Sequence, residues 1–279
     1  MSSNPQRASP ALLPGPRLRR ALLSISKQAE RDIELLSSSS SQARIHALRV
    51  RMKKLCALLQ LIKLDIAPAR MKAIRQDVRA LKRAFAMNRD QHVMKALLIE
   101  ISDDMGACHK ERIVHGNSDG STGLPGPAQL RKLKTTARAL TQRLRTMKIR
   151  TFAWNDIAKS YAHRYAKARQ WFRRCRHKPS AERLHRWRTL VKDHFFQSLI
   201  LLRHRHHLKA TRKLSSLLGK MHDLAMLREH YVRGPSDHLA PGIARLLKDL
   251  HARSFRKARQ IFVPTPRKIK HQVRAAHRP

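Results

Sequence analysis

Arg44-Ile-His46-Ala-Leu-Arg49-Val-Arg-Met-Lys53 returns further along the chain as Arg183-Leu-His185-Arg-Trp-Arg188-Thr-Leu-Val-Lys192. Both copies read Arg-x-His-x-x-Arg-x-x-x-Lys. At roughly 100° per helical residue, the His, Arg and Lys of each copy fall within an arc of about 60° over about two turns. An imidazole, a guanidinium and an ammonium therefore point the same way. The apolar residues Ile45, Leu48, Leu55 and Leu58 of the first copy, and Leu184, Trp187, Leu190 and Val191 of the second, take other faces that can pack. The chain reads as two scaffolds, each holding one basic stripe.

Composition bounds what such stripes can serve. The 279 residues allow one large domain or two, and 42% apolar content favours a folded chain over a disordered one. Against 18 Asp and Glu stand 61 Lys and Arg, a net charge of +43, with 17 His besides. A field of that sign calls for a polyanionic partner: nucleic acid, inorganic polyphosphate or an anionic membrane surface. Cys56, Cys108 and Cys175 are odd in number and widely spaced, which suits neither a disulfide framework nor a C-x-x-C metal site. Four prolines interrupt the first 16 residues, and no apolar run approaches the length of a membrane span. The expectation is a soluble, cytoplasmic protein that is not exported.

Helical spacing runs along almost the whole chain. After a disordered leader, 1–17, apolar residues from Leu18 to Leu36 have helical period, and Ser37 to Ser41 stops that helix. The first motif helix is read over 42–66, followed by 71–87 and by a further helix from Asn88-Arg89-Asp90 to about 109. The Gly- and Pro-rich stretch 116–127 is a loop. Helices follow over 128–149 and 152–177, and the second motif helix opens at Ser180, a good N-cap, and runs to 204. Helices over 208–218, 219–232 and 243–262 complete the set, and the basic tail 264–279 is read as loose. No segment alternates as a strand does. Between Asp119 and Glu182 there are 16 Lys or Arg and one acid, Asp156.

The motif belongs to a longer repeat. Asn88-Arg89-Asp90 matches Met221-His222-Asp223, and Lys167-Ala-Arg-Gln-Trp-Phe172 matches Lys257-Ala-Arg-Gln-Ile-Phe262. The duplication predicts two helical bundles, 18–177 and 178–263, related by a pseudo-twofold axis.

Stacked like charges repel and await an anion, and two copies with one spacing argue against a merely solvated face. Arg44 and Arg183 open the two stripes. Lys167 and Lys257, at the basic ends of long helices, could line a shared groove with them. A metal site from His46, His185, His222 and Asp90 or Asp223 is disfavoured, because neither motif His has a ligand partner at i+3 or i+4. Asp90 and Asp223 are read as caps or as partners orienting a nearby Arg or His. The cluster His204-Arg-His206-His207 reads as exposed surface. Nonspecific nucleic-acid binding is the rival reading, though the 13 aromatic residues have core-like spacing and offer no stacking platform. A metal-dependent phosphohydrolase would need clustered carboxylates or a phosphate-cradling glycine loop, and the sequence has neither.

Taken together, the two stripes, the Arg89-Asp90 and His222-Asp223 turns and the twofold helical repeat resemble the CHAD family, the conserved histidine α-helical domain. Ile45-His-Ala-Leu-Arg-Val50 is similar to the family's first-half motif, and Leu217-Leu-Gly-Lys-Met-His-Asp-Leu224 to its second-half turn. The resemblance covers about 18–263. It implies an all-α fold of two four-helix bundles with pseudo-twofold symmetry around a basic central groove or pore. It implies non-catalytic binding of inorganic polyphosphate and association with polyphosphate granules, with no cofactor. The phosphate contacts it implies are His46, Arg49 and Lys53 with His185, Arg188 and Lys192, and Arg89 and His222 beside them. Cys56 and Phe195 stand where the family usually has a further basic residue, Phe85-Ala86 replace its Leu-Gly, and Thr189 takes a commonly basic place.

Overall fold

The computed structural model describes residues 14–36, 41–63, 66–85, 97, 125–147, 154–177, 179–202, 205–231 and 239–276. Among them are nine α-helices and no strand. The first four are α1 (Pro14–Leu35), α2 (Gln42–Leu59), α3 (Pro68–Ala84) and α4 (Pro127–Arg145). The rest are α5 (Trp154–His177), α6 (Ala181–Leu201), α7 (Arg205–Tyr231), α8 (Leu239–Ile261) and α9 (Pro266–Ala275).

Local chemistry sets several starts. Pro68 and Pro127 open α3 and α4, where a missing N–H leaves no intrahelical bond unmade. Ser180 caps α6 as its sequence suggests, its hydroxyl accepting from the Arg183 N–H at 3.3 Å. Helical period then selects the buried face. In α3 this face is Met71, Ile74, Val78 and Leu81.

Packing follows a repeated order. Helix α2 packs on α1 and α3, and α4 on α1 and α3, so α1 to α4 close on themselves. Helix α6 packs on α5 and α7, and α8 on α7 and more lightly on α5. The two motif helices, α2 and α6, pack against each other and join the two sets. One apolar cluster runs through both, with Trp187 fully buried between Phe172 and Phe255. At the joint, the buried Gln197 donates from Nε2 to the Ala57 carbonyl at 2.8 Å. That carbonyl is in the last turn of α2, where the helix itself supplies no partner.

Several sequence expectations change. Helix 154–177, expected to end the first bundle, instead packs on α6, α8 and α9, so the change of partners falls between 147 and 154. The two Lys-Ala-Arg-Gln copies consequently lie on α5 and α8, which are different positions in the order. Their terminal rings, Phe172 and Phe262, stack on each other at 5.7 Å. Helix α7 runs unbroken through Gly219, where two helices were expected, since one glycine inside a well-packed helix is tolerated.

The tail also differs from expectation. Thr265 caps α9 by accepting from the Lys268 N–H at 3.2 Å, and Ile269 and Val273, one turn apart, are buried. Helix α9 packs on α5. The Tyr165 hydroxyl lies 3.0 and 2.9 Å from the carbonyls of Ile261 and Pro264 and can donate to either, tying α5 to the α8–α9 link. At the other end α1 begins at Pro14, four residues before the expected start. Apart from Leu97, which is helical, the helix expected over 88–109, with Arg89 and Asp90, lies outside the described residues.

Candidate functional site

The two motif arginines reach to matching places on the helix that follows each. Arg49, half-buried, donates to the carbonyl of Phe85, the C-cap residue of α3. Arg188, only 9% exposed, places Nη2 4.0 Å from where a side chain on Gly219 would begin, and 3.9 Å from the Asp223 carboxylate. Aligning the Arg89-Asp90 and His222-Asp223 turns makes Phe85 the counterpart of Leu218 and Ala86 that of Gly219. Both guanidiniums therefore serve first to fix the motif helix against its neighbour, and Arg188 is oriented by Asp223.

The histidine and lysine positions bring the two copies together. His185 is exposed, and its ring centroid lies 5.1 Å from that of His222. Partial burial holds the His185 imidazole below its ordinary pKa, and the cations Arg188 and Lys53 add to the shift. Lys53 belongs to α2 and His185 to α6, so the stripes of the two copies act on each other across the joint.

The remaining predicted residues vary in setting. His46 is exposed; Lys53, Lys192, Arg183 and His222 are half-buried. Arg44 donates to the Leu35 carbonyl at 3.3 Å, holding the end of α1. Lys167 is exposed on α5, and Lys257 on α8 holds Gln260 at 2.7 Å. Among the described residues no hydrogen bond or ion pair joins these two lysines to the motif residues. Arg89 lies outside the described residues.

Sequence reasoning missed an acid at the joint. Asp193, next to Lys192, is paired with Arg164 of α5. Burial pushes its carboxyl above the usual range, while Arg164 and Lys82 oppose the shift. Cys56 of α2 lies in the same neighbourhood: burial pushes its thiol up, Lys82 opposes, Asp193 adds to the rise, and Arg75 and Arg79 oppose. Lys82, Arg75 and Arg79, all on α3, thus act on the place where the motif lacks a basic side chain. The scarcity of acids was the available signal, and Asp193 satisfied it as well as Asp90 and Asp223 did.

The cluster read as exposed at 204–207 also divides. His206 is exposed, but His207 is half-buried with Nε2 2.9 Å from Nε2 of His194, which is fully buried. The Tyr161 hydroxyl lies 2.6 Å from Ser198 Oγ and 3.4 Å from His194. Burial, with His207 second, holds His194 well below its ordinary pKa, so its ring is neutral at physiological pH. No such pairing is visible from sequence, because His194 lies on a different helix.

Beside His185 a cavity of about 990 Å³ opens between the start of α6, α7 and α8. Among the described residues no group of three His, Cys, Asp or Glu side chains is arranged to hold a metal ion. Likewise no helix among them is long and apolar enough to cross a membrane.

Fold and site define an all-helical protein in which two copies of one basic motif meet. The chain belongs to the CHAD family: the family model for the CHAD domain matches residues 19–232, which is most of the sequence. The match ends within the segment between α7 and α8. No curated protein and no solved structure matches the chain.

Proposed function

We propose that the chain binds inorganic polyphosphate without catalysis, and that it does so in the cytoplasm at polyphosphate granules. On this reading α1 to α4 and α5 to α8 are two four-helix bundles related by a pseudo-twofold axis, and the groove between α2 and α6 takes the polyanion. The observation that carries the reading is the packing of α2 against α6, because it brings the two stripes together at one joint. Cations held together this way repel one another until a chain of phosphates neutralises them. Family membership supports polyphosphate as the polyanion.

A binding role also suits the acids beside the stripes. Asp193 and Asp223 are each engaged by an arginine, Arg164 and Arg188 respectively, which fits orientation of side chains better than activation of water. Lys53, Lys192, His46, His185 and His222 would make the phosphate contacts, with Arg49 and Arg188 behind them.

Binding of labelled long-chain polyphosphate at physiological salt, in competition with duplex DNA and RNA at equal phosphate concentration, tests the proposal. Polyphosphate should remain bound. Displacement by nucleic acid would transfer the site to nucleic-acid binding, and release of orthophosphate on adding divalent metal would make the protein a hydrolase.

A further inference from the structure

We propose that the cavity beside His185 is a second subsite, which takes the heteroaromatic group of a nucleoside di- or triphosphate while its phosphates lie on His185 and His222. The inference rests on the reading of those two histidines as phosphate contacts. It asks what the adjoining space is for.

A bare phosphate chain needs polar partners along its whole length. This cavity has a mixed lining, apolar from Leu184, Leu218, Met221 and Leu247 and charged from Arg228, Glu229 and Lys248, and its volume of about 990 Å³ is that of a site for a whole small molecule. A flat ring attached to phosphates satisfies both surfaces, because the ring leaves water for the apolar lining and the charges stay with the imidazoles.

Polar features within the cavity fit the same ligand. Nε2 of His251 is buried and has no hydrogen-bond partner among the described residues. The His251 ring lies on Phe255 at 4.2 Å, and burial lowers its pKa, favouring the neutral form with one donor and one acceptor nitrogen. An unmet nitrogen of this kind suits an amino group or ring nitrogen of a base. Near His185 the first turn of α6, opened by Ser180, adds the positive end of a helix dipole, which favours phosphate. Glu182, on the same turn, is paired with Arg186 at 2.9 Å, which reduces its repulsion of an anion.

The test compares ATP and GTP with inorganic tripolyphosphate by equilibrium dialysis at physiological salt, with long-chain polyphosphate measured on the same full-length protein. The nucleotides should bind at least about tenfold more tightly than tripolyphosphate. Ala225→Phe, which grows a ring into the cavity, should remove that advantage and leave tripolyphosphate and long-chain binding unchanged. His251→Ala should weaken nucleotide binding alone, and it serves as the second variant should Ala225→Phe misfold. Equal binding of nucleotide and tripolyphosphate, or an advantage that survives both substitutions, overturns the subsite while long-chain binding upholds the main site. Loss of all three ligands in the unaltered protein overturns both.

Discussion

Lys53 on α2 acts on His185 on α6, two residues from different copies of the motif, and helps hold the imidazole towards its neutral form. An anion between them reverses that effect by favouring the protonated ring. Phosphate binding and proton uptake at His185 are therefore coupled. Polyphosphate affinity should rise as pH falls from 7.5 to 5.5. Lys53→Met should raise the His185 pKa in the free protein, read by NMR titration, and lower the affinity. A His185 titration that ignores Lys53 would separate the two stripes.

The arginines and lysines of the stripes should fail differently. Arg188→Ala leaves the mostly buried Asp223 without its guanidinium and should cost about 1–3 kcal/mol of stability as well as binding. Lys53→Ala and Lys192→Ala, at half-buried positions, should weaken polyphosphate binding and reduce its salt dependence with little change in stability. Urea midpoints measured beside the binding curves decide between these outcomes.

Acid should weaken the α5–α6–α7 region through His194. In the unfolded chain this imidazole takes a proton near pH 6.5, whereas burial keeps it neutral when folded. Below about pH 6.5 the unfolded state binds the extra proton, so stability falls as pH falls, at up to about 1.4 kcal/mol per pH unit. Thermal midpoints between pH 7.5 and 5 should show this slope, and His194→Asn should flatten it.

Removing residues 265–279 should destabilise the fold. The deletion uncovers the α5 surface that Ile269 and Val273 bury, at about 1.5–3 kcal/mol for each side chain. A denaturant midpoint unchanged by the deletion would mean that α9 docks without holding anything.

At the joint, Gln197→Leu should cost about 1–3 kcal/mol, because the Ala57 carbonyl loses its donor in a buried place. Urea unfolding measures the loss. Polyphosphate affinity should fall with it if the α2–α6 contact sets the spacing of the stripes.

The sequence by itself determined the helical class, most of the described helices and the two basic stripes. Each of these rests on a short-range period or a local cap: His46, Arg49 and Lys53 share a face because of helical geometry, and Ser180 opens α6 through its own hydroxyl. Tertiary structure decided which stripes meet. It set Lys53 against His185, turned Arg188 inward to Asp223, placed Asp193 beside Arg164, and paired His207 with the buried His194. It also moved helix 154–177 to the second set and docked the tail on it. These relationships join residues on different helices, so they depend on interhelical register and crossing, which no period within one helix records.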